Sequence, residues 1–170
     1  KKKNEKKNIV LFANTLWFFE KFKYELIINL QEKYNVYCLY LKKGPPIDKK
    51  RVDTLKDKGV NFQILTFYLT IKLLTRISFN LGLKYEPTLK PDKVLVFTLS
   101  PILLSSIVFV KYRSQTSYVL EGLGRVFVSR KLIYRVLRRI VAAIYKFLFL
   151  NCFSVIALNY SDATYLAEMS

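Results

Sequence analysis

Two glycines bracket one leucine in the stretch Val119-Leu-Glu-Gly-Leu-Gly-Arg-Val-Phe127. The chain has only five glycines, so the pairing of Gly122 and Gly124 needs a reason. Without side chains, backbone N–H groups can approach a phosphate or a sugar closely. A tight structural turn is the alternative use. Arg125 beside them offers positive charge, and Glu121 a carboxylate that can accept hydrogen bonds from sugar hydroxyls or act as a base. A second stretch, Ala13-Asn-Thr-Leu-Trp-Phe-Phe19, contains no glycine and so is no dinucleotide fingerprint. Asn14 and Thr15 can cap a helix and leave N–H groups for an anion. Trp17 and Phe18 offer flat apolar surface. Against this stands a plainer reading, in which Trp17 and Phe19 are core and Asn14 is only a cap. A third stretch, Thr98 to Pro101, reads as a helix start, with Ser100 as N-cap and Pro101 as first helical residue.

Several chemistries are excluded outright. The chain has no histidine, which removes His-based triads, His general bases and His metal ligands. Two cysteines, Cys38 and Cys152, cannot make a structural zinc site and are expected as reduced core residues of a cytosolic protein. No metal or other cofactor is expected. The phosphate-binding pattern ending Gly-Lys-Ser/Thr is also absent.

Positive charge is the strongest physical signal. The net charge is +17, which draws a chain to polyanions. From Arg125 to Leu150 there are seven basic residues and no acidic one. Lys131, Arg135, Arg138, Arg139 and Lys146 recur at helical spacing and share one broad face. Ile133, Leu137, Ile140, Ile144 and Phe147 fall on another. Such a helix reads as a membrane-surface element; an ordinary surface helix with its apolar face in the core is the alternative. Nucleic acid ranks last, because aromatic residues do not interleave with the charges and no recognised binding motif appears.

The elements that must position these residues alternate. Short apolar runs at Ile9–Asn14, Val36–Leu41, Val60–Leu65, Lys93–Thr98, Thr116–Leu120 and Ser154–Asn159 read as strands. Helices are expected at about 17–33, 49–58, 68–82, 100–112 and 130–150, with Gly59 closing the second and Ser161 capping a last one. Pro87 and Pro91 frame a loop. This order predicts an α/β fold, a Rossmann-like open parallel sheet with helices on both faces and ligands at the carboxyl ends of the strands. Residues 1–8 form a basic tail, and 9–170 one domain with 52% apolar residues. The apolar runs Val94–Val110 and Ile140–Leu158 are interrupted by polar residues and marginal against the ~20 residues a membrane span needs.

Four motifs in order resemble the family 4 glycosyltransferases of the GT-B type, in the branch that extends undecaprenyl-diphosphate-linked sugars. In the first loop Asn14, Thr15, Trp17, Phe18, Phe19, Phe22 and Lys23 match, with Lys for the usual Arg. Pro91-Asp92 resembles the family's strand entry, L-E-G-L-G-R-V-F its T-G-L-G-Y-x-F, and Asn159 to Asp162 its Q-N-x-x-D. Glu121 stands where Thr is usual, Arg125 where Tyr is usual, and Ser100-Pro101-Ile102 where Lys-Pro-Asn is frequent. The resemblance implies the N-terminal, acceptor-binding half of a GT-B enzyme. It would lie peripherally on the inner face of the cell membrane and bind a polyprenyl-diphosphate-linked acceptor through Asn14, Thr15, Trp17, Phe18, Ser100, Glu121, Gly122, Gly124 and Arg125. The nucleotide-sugar donor would bind a C-terminal domain, beyond a chain that is expected to be truncated at Ser170. A non-catalytic membrane-anchoring subunit of a split glycosyltransferase is the alternative. Glu121 is the one candidate for a catalytic base.

Overall fold

A computed structural model describes residues 6–71, 79–84, 90–122 and 132–169, with 66–71 and 79–84 described by backbone alone. The elements are β1 (Lys7–Thr15), α1 (Leu16–Phe22), α2 (Tyr24–Lys33), β2 (Tyr34–Lys42), α3 (Lys49–Asp57), β3 (Asn61–Ile64), β4 (Thr66–Ile71), β5 (Phe79–Lys84), β6 (Lys93–Phe97) and α4 (Leu99–Val108). A 3-10 turn (Val110–Gln115), β7 (Thr116–Leu120), α5 (Leu132–Phe149), β8 (Ser154–Ala157) and α6 (Tyr160–Met169) complete the described chain.

Six strands form one sheet in the order β3-β2-β1-β6-β7-β8, and every neighbouring pair is parallel. The fold is a Rossmann-like open α/β sheet, as the alternation of elements predicted. Strand pleating explains the two layers of helix. In β1, Ile9, Leu11 and Ala13 point to one face and join Phe19, Ile27 and Leu55 of α1–α3. Val10 and Phe12 point to the other and join Ile102 and Val108 of α4 with Val141, Tyr145 and Leu148 of α5. Cys38 is buried and Cys152 half-buried, and both are free thiols. Burial pushes the Cys38 thiol well above its ordinary pKa, which keeps it protonated.

Four expectations are corrected. Residues 68–82 do not form a helix: β4 and β5 pair antiparallel in a separate two-stranded sheet, from Thr66↔Lys84 to Ile71↔Phe79. The alternating, β-branched T-F-Y-L-T-I favours a pleated strand over a helix. Residues 72–78 and the Pro87 loop lie outside the described residues. The helix expected at 17–33 is two, broken at Lys23, whose backbone leaves the helical region at φ −122°, ψ 7°. The break changes the phase, so Phe22 and Leu26 turn outward while Ile27 takes the core. Ser100 is not a cap, since α4 starts one residue earlier and Thr98 precedes it as N-cap residue. Ser161 lies inside α6, whose first turn is held by Asn159 and Asp162: each side chain bonds the other, and Asn159 Oδ1 accepts from the Asp162 N–H.

Other end signals hold. Gly59 closes α3 at φ +85°, where Gly59 N–H donates to Lys56 O and Val60 N–H to Leu55 O. That pair of bonds is the Schellman arrangement, which glycine adopts without Cβ strain. At the amino edge of the sheet, Asp92 Oδ2 accepts from Asn8 N–H at 2.7 Å, and Asp92 N–H donates to Asn8 O at 2.9 Å. Asp92 therefore stitches β6 to β1 at the end opposite the crevice.

Candidate functional site

Strand order reverses between β1 and β6, so the crevice of an open α/β sheet lies beyond their carboxyl ends. Thr15 ends β1, Lys42 ends β2, Thr98 follows β6 and Glu121 follows β7. These four positions line one edge of the sheet. On the β1–β2 side lies a cavity of about 560 Å³, lined by Asn14, Thr15, Trp17, Phe18, Lys42, Gly44 and Pro45. It joins an amide, an ammonium and an indole, a set that suits a polar ring bearing hydroxyls or an anion.

Each wall has a local cause. Thr15 sits extended as the N-cap of α1, and its Oγ1 accepts from Phe18 N–H at 3.1 Å. Thr15 and Asn14 both line the cavity; the Thr15 hydroxyl holds the helix start and also donates to Asn14 Oδ1 at 3.5 Å. Trp17 N–H donates to Lys43 O, which ties α1 to the loop after β2. The Trp17 ring meets Phe22 edge-on at 5.2 Å. Gly44 adopts φ +84°, and a Cβ there would stand 2.9 Å from Thr15 Cβ. Glycine is thus required for the β2 loop to pack against the end of β1. Phe19 is fully buried, as the plainer reading had it, whereas Trp17 is only half-buried and faces the cavity.

Phe18 links this cavity to a second feature. At the α1–α2 break, Lys23 reaches back across the crevice and forms an ion pair with Glu121. Its Nζ lies 5.5 Å from the Phe18 ring centre and 5.1 Å from that of Phe97. Both side chains are largely shielded, at 15% exposure for Lys23 and 23% for Glu121. Two aromatic faces and a carboxylate therefore hold one ammonium at the crevice floor. Oε1 is the Glu121 oxygen that holds Lys23 in this position.

Thr98 adds strain at the same edge. Its backbone sits at φ 64°, ψ 153°, a region natural to glycine, and its Oγ1 is buried without a hydrogen-bond partner. It stands one residue past the registered pair Phe97↔Val119, close to the start of the Glu121 turn. Both features cost stability locally.

The predicted set divides accordingly. Asn14, Thr15, Trp17 and Phe18 share the cavity, and Glu121 joins them through Lys23 and Phe18. Ser100 is exposed in the first turn of α4 and absent from the cavity wall. Gly122 adopts φ +143° with open space where a Cβ would be, which makes it a turn residue requiring glycine. Gly124, Arg125 and Lys131 lie outside the described residues. Lys42 and Gly44 were not singled out from sequence, and only the pairing of β2 with β1 brings them to the cavity; Thr98 was read as the start of the third stretch, without its strained backbone. Among the described residues, no three Cys, Asp or Glu gather to hold a metal.

The α5 helix departs from the alternative in which its named apolar face packs in the core. Its core residues are Val141, Tyr145 and Leu148, whereas Ile133, Leu137, Ile140 and Phe147 are exposed and Ile144 is half-buried. Arg139 and Lys146 are exposed and Arg138 half-buried. Arg135 occupies the same helical line as Arg139 and Lys146, with its side chain outside the described set. No described helix is long and apolar enough to cross a membrane. Compared with known proteins, the chain matches no family model and no curated protein.

Proposed function

We propose that this chain is the acceptor-binding half of a glycosyltransferase that extends a polyprenyl-diphosphate-linked saccharide, with the nucleotide-sugar donor bound by a second domain. The observation that carries this reading is the crevice-floor arrangement. An indole, an amide and an ammonium line a cavity that suits a sugar, and Lys23 beside it suits a diphosphate. In this reading Trp17 packs against a sugar ring and Asn14 bonds its hydroxyls. The diphosphate takes the Lys23 ammonium from Glu121, exchanging one anionic partner for another. Lys23 on the floor would stabilise charge at the diphosphate without a metal. The basic residues of α5 would hold the domain at an anionic membrane, where a polyprenyl-linked acceptor resides.

Trp17 is the chain's only tryptophan and reports on the site directly. Titrating the chain with an undecaprenyl-diphosphate-linked sugar in detergent micelles should give a saturable change in its fluorescence. Lys23→Ala should lower the apparent affinity on the order of tenfold, as loss of a charge-assisted contact predicts. A flat titration with correctly folded protein would remove the acceptor role. The exposed faces of α5 favour a second reading, a membrane-anchoring subunit without acceptor binding. That reading gains if vesicles bind while the fluorescence titration stays flat.

A further inference from the structure

Helix α5 carries two apolar faces, and the sheet uses only one. Val141, Tyr145 and Leu148 are buried against β-strand residues such as Tyr118 and Leu120. On the outward side Ile133, Val136, Ile140 and Phe147 are 72%, 56%, 52% and 50% exposed. At 3.6 residues per turn these four fall within an arc of about 60°. Arg139 and Lys146 form a ridge about 100° around the helix from that stripe. No Asp or Glu occurs between Leu132 and Phe149. Arg113, from the 3-10 turn, places its guanidinium 4.4 Å from the Phe147 ring and adds a third cation at the end of the stripe.

A contiguous exposed stripe of this kind marks a partner surface. Its charge identifies the partner. A second copy of the chain would bring cationic ridges near one another, and the absence of any carboxylate gives such a dimer nothing to pair them with. A bilayer with anionic lipid satisfies both features, because phosphates meet the cations and acyl chains meet the stripe.

We infer that α5 lies in the interface of an anionic bilayer, with Ile133, Val136, Ile140 and Phe147 among the acyl chains and Arg139 and Lys146 at the phosphates. The contact is insertion, which salt cannot screen, and the charges only assist it. Its placement bears on the crevice. Just after the end of α5 the chain meets the amino edge of the sheet, where Phe153 N–H donates to Thr116 O, and the 18 residues of the helix run about 27 Å back toward the carboxyl edge, so its first turns lie on the crevice side. Resting on the proposed acceptor role, this sets the crevice mouth beside the bilayer surface, where a lipid-linked ligand can enter without leaving the membrane.

The test is flotation of the chain with phosphatidylglycerol/phosphatidylcholine vesicles that contain no glycolipid, at low salt and at about 1 M salt, where the Debye length is ~3 Å. Binding should persist at high salt. Ile140→Asn with Phe147→Ser should lower partitioning on the order of a hundredfold, with thermal melting unchanged because both residues are exposed. Arg139→Gln with Lys146→Gln should lower it about tenfold at low salt and little at high salt. Loss of wild-type binding at high salt, or unchanged binding of the Ile140/Phe147 variant, overturns insertion. So does a lipid-free dimer that the same variant dissociates, since a second copy then covers the stripe. Glycolipid titration is a separate measurement, so failure here leaves the acceptor reading standing, and the reverse.

Discussion

The two flanks of the sheet are finished to different degrees. On the β3-β2-β1 side, five successive residues of β1 are buried and α1–α3 close over them, although the edge strand β3 itself has no buried residue. On the β7-β8 side the edge strand β8 has no buried residue, and Val155, Ile156 and Leu158 are exposed. Helix α5 on that side also faces outward with apolar residues. The first flank shapes the cavity beside Trp17 and gains its energy from its own packing. The second keeps apolar surface in water, which a protein tolerates where something else covers it. Closed packing and exposed apolar surface thus lie on different parts of one sheet.

Substitutions can break this comparison, and the largest effect belongs to the closed flank. Leu11→Ala removes a fully buried side chain packed under α1–α3 and should cost about 2–5 kcal/mol. That lowers the melting temperature by roughly 2–4 °C per kcal/mol. Gly44→Val should follow at about 2 kcal/mol, through positive φ and the Thr15 clash, and should also quench binding at Trp17. An unchanged melting curve would mean that the β2 loop moves freely off β1. Lys23→Ala should cost about 1 kcal/mol, since the pair is shielded but not sealed. Ile156→Ala on the open flank should change stability by less than about 0.5 kcal/mol. A loss as large as that of Leu11→Ala would show the flanks to be equally packed.

High pH sharpens the contrast from the other direction. Tyr118 and Tyr145 both pack on the α4–α5 face, and burial raises both phenol pKa values above the ordinary 10. A phenol raised in the folded state contributes stability that is complete below its unfolded pKa and is lost as pH climbs toward the folded value. Alkaline unfolding above pH 10 should therefore be blunted by Tyr145→Phe. An identical alkaline midpoint in the variant would assign the loss to other groups.

Much of this architecture was legible because strands buried on both faces read as short apolar runs. Ile9–Asn14, Val36–Leu41 and Thr116–Leu120 each coincide with a strand. Local signals failed where two of them competed. Ser100-Pro101 carries a strong capping pattern, yet the helix starts at Leu99 behind a strained Thr98. Residues 68–82 have apolar residues at both periods, and strand pairing decided between them. Phe19, Phe22, Leu26 and Leu30 promised one stripe, but the break at Lys23 resets it. That break is also what delivers Lys23 to Glu121. Ninety-eight positions separate the two residues, so no local pattern announces their meeting. For α5 the sequence held both periodic faces; which one met the sheet depended on the angle at which the helix packs.

The sheet order also governs the sequence of events as the chain is made. Strands β1, β2 and β3 find one another within residues 7–64, but the other edge of β1 waits for β6, starting at Lys93. At roughly 5–20 residues per second, synthesis leaves that edge without its partner for seconds. Pulsed hydrogen exchange on stalled nascent chains should protect β1 and β2 amides before β6 exists; simultaneous protection would contradict it. The strand I-V-L-F-A, central and safest in the finished protein, is thus for a time an apolar edge strand, open to any other strand that reaches it first.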